Sequence, residues 1–315
     1  MQVDNLKQSL REILENDNTT LELYLISPDK EIKFSSISDE ASSNLLELFK
    51  NYINTNLLDD ENEYRLKSID DANDEDAKTY YYFDSNNIYE KIEHFTNFNG
   101  ADIENFSFSE MNFGDIDTFL IKIGTEEKHI ILYKKNYPIN LLKRGKTIFF
   151  TKSNENIDEL KDDILKINGN FQFLVIGEHI LVLDLNMLET QLGYEDVIIK
   201  NAEEALATIG AIDFLDDISK IQEMATSKRI AKKINLVKNS PVIDIIRRDQ
   251  SKVVTFINTH PELKKSLSFN ADGKLELKSK VSVEKFLKLL HDDYLKSELT
   301  ELLYDSLNKD TLKTE

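Results

Sequence analysis

The sequence predicts an α+β fold of mixed sheets, hairpins and helices, divided between two domains. Three observations carry that reading. The apolar runs 118–124 and 129–135, and again 171–177 and 179–185, are separated by short polar turns and read as hairpins. Segments such as Val3, Leu6, Leu10, Ile13 and Leu14 space apolar residues along one helix face. The chain has 315 residues, enough for about two domains.

The elements follow in order. Residues 2–15 are helical on that spacing. LELYLIS (21–27) alternates as a strand, Ser27-Pro28-Asp29-Lys30 turns the chain, and EIKFSSI (31–37) returns. Ser38 or Asp39 caps a helix over 40–56. Residues 59–78 are dense in Asp, Glu and Asn with few apolar anchors, which predicts a loop or partly disordered edge. YYYF (80–83) is a strand, 96–115 is irregular, and 118–135 is the clearest hairpin of the first half. Pro138 breaks the pattern and places a boundary near 138–146. This gives an acidic domain over 1–140 and a second domain over 141–315.

The second half opens with a strand at 146–152, then a helix at 155–167 ended by Asn168-Gly169-Asn170. After the 171–185 hairpin come helices at 186–191, 195–209 and 213–239, and an element led by Pro241 and running to 248. Residues 251–258 fit a strand or a helix end, 260–266 a short helix, and 267–279 a hairpin around Ala271-Asp272-Gly273-Lys274. A final helix spans 282–303, with Phe286, Leu289 and Leu290 buried and a break near Asp292.

Composition excludes several chemistries. There is no cysteine, so there is no disulfide, thiolate metal site or thiol nucleophile. The five histidines, His94, His129, His179, His260 and His291, never fall at metal-ligand spacing. No phosphate-binding glycine loop, dinucleotide fingerprint, zinc-protease motif or nucleophile elbow is present. We therefore assign no catalytic residue, metal or cofactor. Two Glu-x-Lys tripeptides, Glu31-Ile32-Lys33 and Glu276-Leu277-Lys278, lie too close to Asp29 and Asp272 for the adjacent-strand arrangement of a nuclease, and read as exposed strand charges. His291-Asp292-Asp293 invites an acid–base reading but fits a helix-end cluster equally well. No apolar run approaches the ~20 residues that span a bilayer, and the N-terminus lacks a signal-peptide core, so the chain reads as soluble and cytoplasmic.

Charge is the strongest compositional signal. The net charge is −19. Residues 1–142 hold 13 basic and 29 acidic side chains, whereas 220–288 hold 16 basic and 7 acidic. Lys228, Arg229, Lys232 and Lys233 fall on one broad face of a helix, with Ile230 and Ile234 on the other. Arg247 and Arg248 follow, then Lys252, Lys264 and Lys265. Lys143, Arg144 and Lys146 form a second cluster around Gly145. Such cations suit phosphates rather than base edges, and few aromatics lie near them, which favours duplex over single-stranded DNA. The competing readings are a solvated face or contact with the acidic N-terminal half.

The run Lys288-Leu289-Leu290-His291-Asp292-Asp293-Tyr294-Leu295-Lys296-Ser297-Glu298-Leu299-Thr300, followed by Tyr304 and Lys309, resembles the C-terminal signature of the KwaB family of Kiwa anti-phage defence proteins. The order of elements from about 143 to 312 is similar as well, and His291 departs from the Asn of the family pattern. The resemblance implies a cytoplasmic protein, recruited to the inner membrane by a KwaA-like membrane partner, that binds invading double-stranded DNA and hinders its replication and transcription. It sets Asp292, Asp293, Tyr294, Ser297, Glu298 and Thr300 as signature residues. On physical grounds these suit a structural or self-association role, with Leu289, Leu290, Leu295 and Leu299 as core anchors and Asp292 as a cap for a following turn.

The leading expectation is a non-enzymatic DNA-binding effector that forms a homodimer or higher homo-oligomer. Its acidic N-terminal half serves self-association or partner docking. The alternatives are a metal-dependent nuclease using Asp292 and Asp293, and an adaptor whose basic face meets a protein or anionic lipid.

Overall fold

The computed structural model describes residues 1–73, 76–84, 89, 92, 103–138, 141–142, 150–153, 156–160, 163–238, 240–296 and 303–305. Its strands in chain order are β1 (Thr20–Ile26), β2 (Ile32–Ser35), β3 (Arg65–Ser68), β4 (Thr79–Asp84), β5 (Thr118–Gly124), β6 (His129–Lys135), β7 (Leu141–Leu142), β8 (Phe150–Ser153), β9 (Asn156–Glu159), β10 (Ile164–Leu165), β11 (Phe173–Ile176) and β12 (His179–Val182). Eight of these form one sheet in the order β2-β1-β5-β6-β11-β12-β4-β3, so the class is α+β. The pairings from β2 through to β4 are antiparallel.

The chain divides into two compact units. One is Met1–Lys67 with Lys78–Met187, and the other is Ser68–Ala77 with Leu188–Glu315. The strands β11 and β12, which follow the boundary expected near 138–146, pair into the same sheet as β6 and β4, which precede it.

The first unit follows from alternation. On β1 and β5, Leu21, Leu23, Leu25, Phe119, Ile121 and Ile123 point to one side and join a buried core with Leu6, Leu10, Phe49 and Ile53 of the helices Val3–Leu14 and Asp39–Ile53. Each such buried side chain contributes about 1.5–3 kcal/mol of transfer free energy. Ser38 caps the second helix by accepting from the Ala41 backbone N–H. The other sheet face is buried too, with Leu120, Phe173, Ile180 and Phe83 at 1% exposure or less. The β5–β6 turn requires glycine: Gly124 has φ +137°, and a Cβ there would lie 2.4 Å from the Lys128 carbonyl oxygen. Lys134 is buried on β6 and donates to Asn168 Oδ1 and to both Asn170 oxygens, the latter at 2.6 Å. This lysine ties the Asn168-Gly169-Asn170 turn to the sheet.

Three expectations are corrected. The helix expected at 155–167 is replaced by strands at Asn156–Glu159 and Ile164–Leu165, since short ladders with β8 and β7 outweigh weak helical spacing. The loop expected over 59–78 contains β3 and a 3₁₀ turn at Ile69–Asp71, anchored by buried Ile69 and Ala72. The final helix stops at Leu290, and Tyr294–Lys296 pairs with Leu303–Asp305 as a hairpin.

The second unit is mainly helical. Its helices are Tyr194–Gly210, Ser219–Ala225, Lys228–Leu236, Pro241–Arg248, Gln250–Thr259, Pro261–Ser266 and Lys280–Leu290. Ser240 and Asp249 cap two of them through their side chains. A short ladder, Ser268–Phe269 with Leu275–Glu276, closes the expected hairpin around Gly273.

Candidate nucleic-acid interface

The helix Lys228–Leu236 forms as its pattern predicts, with Ile230, Ala231 and Ile234 buried. Its cationic side, however, is not an open face. Lys232 Nζ lies 2.5 Å from Glu189 Oε1, with the two side chains only 5% and 4% exposed. Lys228 Nζ lies 3.0 Å from Oε2 of the same carboxylate. Arg229 reaches Glu284 at 3.7 Å. A carboxylate removed from water needs such partners, and Glu189 takes two lysines.

Lys233 has a different setting. With Asn73, Leu236, Leu287, Lys288, His291 and Asp293 it lines a small pocket of about 20 Å³. That is room for a water or a small ion, well short of an organic substrate.

Arg247 and Arg248 occupy the last turn of Pro241–Arg248, where the helix C-terminus favours cations, and both are exposed. Arg247 approaches Asp244 at 3.5 Å, and Arg248 Nε donates to the Asp244 carbonyl. Lys252, Lys264 and Lys265 are exposed on the next two helices. Among the described residues Arg248, Lys252, Lys264 and Lys265 form no ion pair. Lys143, Arg144 and Lys146 lie outside the described residues.

The signature run shapes a helix end. His291 is the C-cap of Lys280–Leu290, and Asp292 follows with φ +61°. The Asp292 N–H donates to the Leu289 carbonyl and the Asp293 N–H to the Lys288 carbonyl, both at 3.0 Å. This pair of bonds is a Schellman motif, with Asp292 where glycine most often stands. Asp292 therefore ends a helix and does not start one, contrary to the expected cap of a following turn. Asp293 is buried, and its Oδ1 lies 2.7 Å from His291 Nδ1. Buried Tyr294 packs edge-on against the His260 ring at 4.7 Å, with Lys285 Nζ 5.8 Å from its centroid. Leu289 and Leu290 are buried as expected. Ser297, Glu298 and Thr300 lie outside the described residues.

Asp292 and Asp293 thus have unlike surroundings, one exposed and one buried. Among the described residues no three His, Asp or Glu side chains gather into a group able to hold a metal ion. Lys33 pairs with Glu104, and Glu276 with Lys278, so both Glu-x-Lys tripeptides sit in ordinary charge pairs. Sequence reasoning missed Glu189. It stands in the short helix Leu185–Thr190 beside buried Met187 and Leu188, and no local pattern marks it as a partner for helix Lys228–Leu236. Among the described residues no helix is long and apolar enough to cross a membrane.

Fold and site together define an α+β protein with a sheet-based acidic unit and a cation-bearing helical unit. Residues 113–300, more than half of the chain, match the family described as Kiwa protein KwaB-like, and the chain belongs to that family. It is similar to Kiwa protein KwaB of Escherichia coli O55:H7 (strain RM12579 / EPEC), with 28% identity over 323 residues that cover 99% of each chain. No solved structure matches.

Proposed function

We propose that this chain is a non-cleaving effector of anti-phage defence that binds double-stranded DNA through its helical unit. Membership in the KwaB-like family supports the defence role. The observation that carries the DNA reading is the set of exposed cations, Arg247, Arg248, Lys252, Lys264 and Lys265, on three successive helices of a chain whose net charge is −19. Phosphates are the natural counter-charge for such a set, and contacts of this kind carry little sequence preference. The effector acts as a homo-oligomer beside a KwaA-like membrane protein, which recruits it from the cytoplasm to the inner membrane.

Fluorescence anisotropy of the full chain with a labelled duplex, across a salt series with and without Mg²⁺, tests this reading, with the same samples run on a denaturing gel. Binding with a steep salt slope and intact DNA is the expected result. Cleavage that needs Mg²⁺ replaces it with the nuclease reading. No binding at low salt replaces it with the adaptor reading.

A further inference from the structure

The segment Ser68–Ala77 comes from the acidic half of the sequence yet belongs to the helical unit. Its sequence, SIDDANDEDA, carries Asp70, Asp71, Asp74, Glu75 and Asp76 and no base. Ile69 and Ala72 are buried and fix its first part, with the Ala72 N–H bonded to the Ile69 carbonyl. The turn Ile69–Asp71 packs against the helix Lys228–Leu236. Asn73 stands in the wall of the pocket lined by Lys233 and Lys288.

The acidic turn Ile69–Asp71 thus lies as a strap on the most basic of the described helices. Lys233 and Lys288 come from two helices and converge on one pocket, and Arg229, one turn before Lys233, is held by Glu284. At the rim of this pocket, whose wall also holds Asp293, these cations attract phosphate, and the strap brings Asp70 and Asp71 to the same helix. Chain connectivity makes the competition intramolecular, with the strap at a high effective concentration.

We infer that the acidic segment anchored at Ile69–Asn73 is a built-in polyanion mimic that screens Lys233 and Lys288 in the resting chain and is displaced when duplex phosphates take its place. The inference rests on the DNA-binding reading and adds its regulation. Arg247, Arg248, Lys252, Lys264 and Lys265 stay exposed and make the first, weak encounter. Displacement of the strap then adds Lys233 and Lys288 to the contact.

The test uses the full chain and duplex anisotropy at fixed salt, with thermal melting to confirm that each variant is folded. Variant one neutralises the strap (Asp70→Asn, Asp71→Asn, Asp74→Asn, Glu75→Gln, Asp76→Asn). Variant two, Ile69→Ala, loosens its anchor at unchanged net charge. A control neutralises five exposed acids elsewhere (Glu15→Gln, Asp17→Asn, Asp29→Asn, Glu126→Gln, Glu127→Gln). The strap variant is expected to bind at least about fivefold tighter than the control. Ile69→Ala is expected to tighten binding in the same direction, and Lys233→Gln with Lys288→Gln to abolish both gains.

Equal gains in strap variant and control, or no gain from Ile69→Ala, overturn the inference and leave general electrostatics as the explanation. If the parent binds and no variant differs from it, the strap alone is rejected and the DNA reading stands. If nothing binds at low salt, the DNA reading fails and the strap falls with it. Should the fivefold variant not fold, Asp70→Asn with Asp71→Asn, alongside Ile69→Ala, gives the same contrasts.

Discussion

Glu189 and Lys232 form a nearly fully buried ion pair, Oε1 to Nζ at 2.5 Å, and the second oxygen of the carboxylate holds Lys228 at 3.0 Å. The lysine that sequence spacing places on an open phosphate-binding face is thereby a structural residue. Breaking a buried pair from one side strands a charge away from water and costs about 3–5 kcal/mol. Glu189→Gln is expected to lower the urea midpoint by a matching amount, while Glu189→Leu with Lys232→Met recovers most of the loss. Equal midpoints for Glu189→Gln and the parent would show that the pair contributes nothing.

Much of the fold was legible from local pattern. The β5–β6 hairpin, the Ser38 cap, the helix opened by Pro241 and the turn at Gly273 depend on neighbours in sequence, and each stands where spacing places it. What connects distant segments was not legible. The pairing of β1 with β5, of β6 with β11 and of β4 with β12 is chosen by tertiary packing, which no window of residues contains. The site follows the same division. The helix Lys228–Leu236 and its apolar stripe are periodic and readable, but Glu189 and the strap at Ile69–Asp71 arrive from elsewhere in the chain. The cations that stay exposed, Arg247 and Arg248 among them, were visible in sequence as charge, without any indication that they would outlast the stronger-looking cluster.

Lys134 has a pH signature. Burial pushes its pKa from the ordinary 10.5 down to about 8. Between these values the unfolded chain keeps a proton that the folded chain has lost, so this group's contribution to stability rises with pH across that window and is level at its lowest below pH 8. Urea midpoints of the parent and Lys134→Met at pH 7 and pH 9.5 check this. The parent is expected to gain relative to the variant at the higher pH. At pH 7 the variant is also expected to lose about 1–3 kcal/mol, because the acceptors of Asn168 and Asn170 lose their donor.

Asp292 separates conformation from charge. Its φ of +61° is the left-handed conformation that glycine adopts freely and β-branched residues resist. Asp292→Gly is expected to retain or raise stability, whereas Asp292→Val lowers it by about 1–2 kcal/mol through strain at the helix end. DNA affinity of the glycine variant is expected to match the parent. Loss of binding in a stable Asp292→Gly protein would show that the carboxylate itself serves function.

The exposed and the buried cations differ in what charge reversal does to them. Lys232→Glu places a second carboxylate against Glu189 inside the fold, and it is expected to unfold the helical unit rather than to give a folded protein deficient in binding. Arg247→Glu, Arg248→Glu and Lys252→Glu act at exposed positions, so the melting temperature should stay near that of the parent. Their effect belongs to the salt dependence. Each phosphate contact removed is expected to flatten the slope of log affinity against log salt by about 0.9, and to weaken binding equally for duplexes of different sequence. Anisotropy titrations at several salt concentrations, with two unrelated duplexes, read both quantities. A triple variant that keeps the parent's slope would remove these helices from the interface, whereas a change confined to one duplex would replace phosphate contact with base readout.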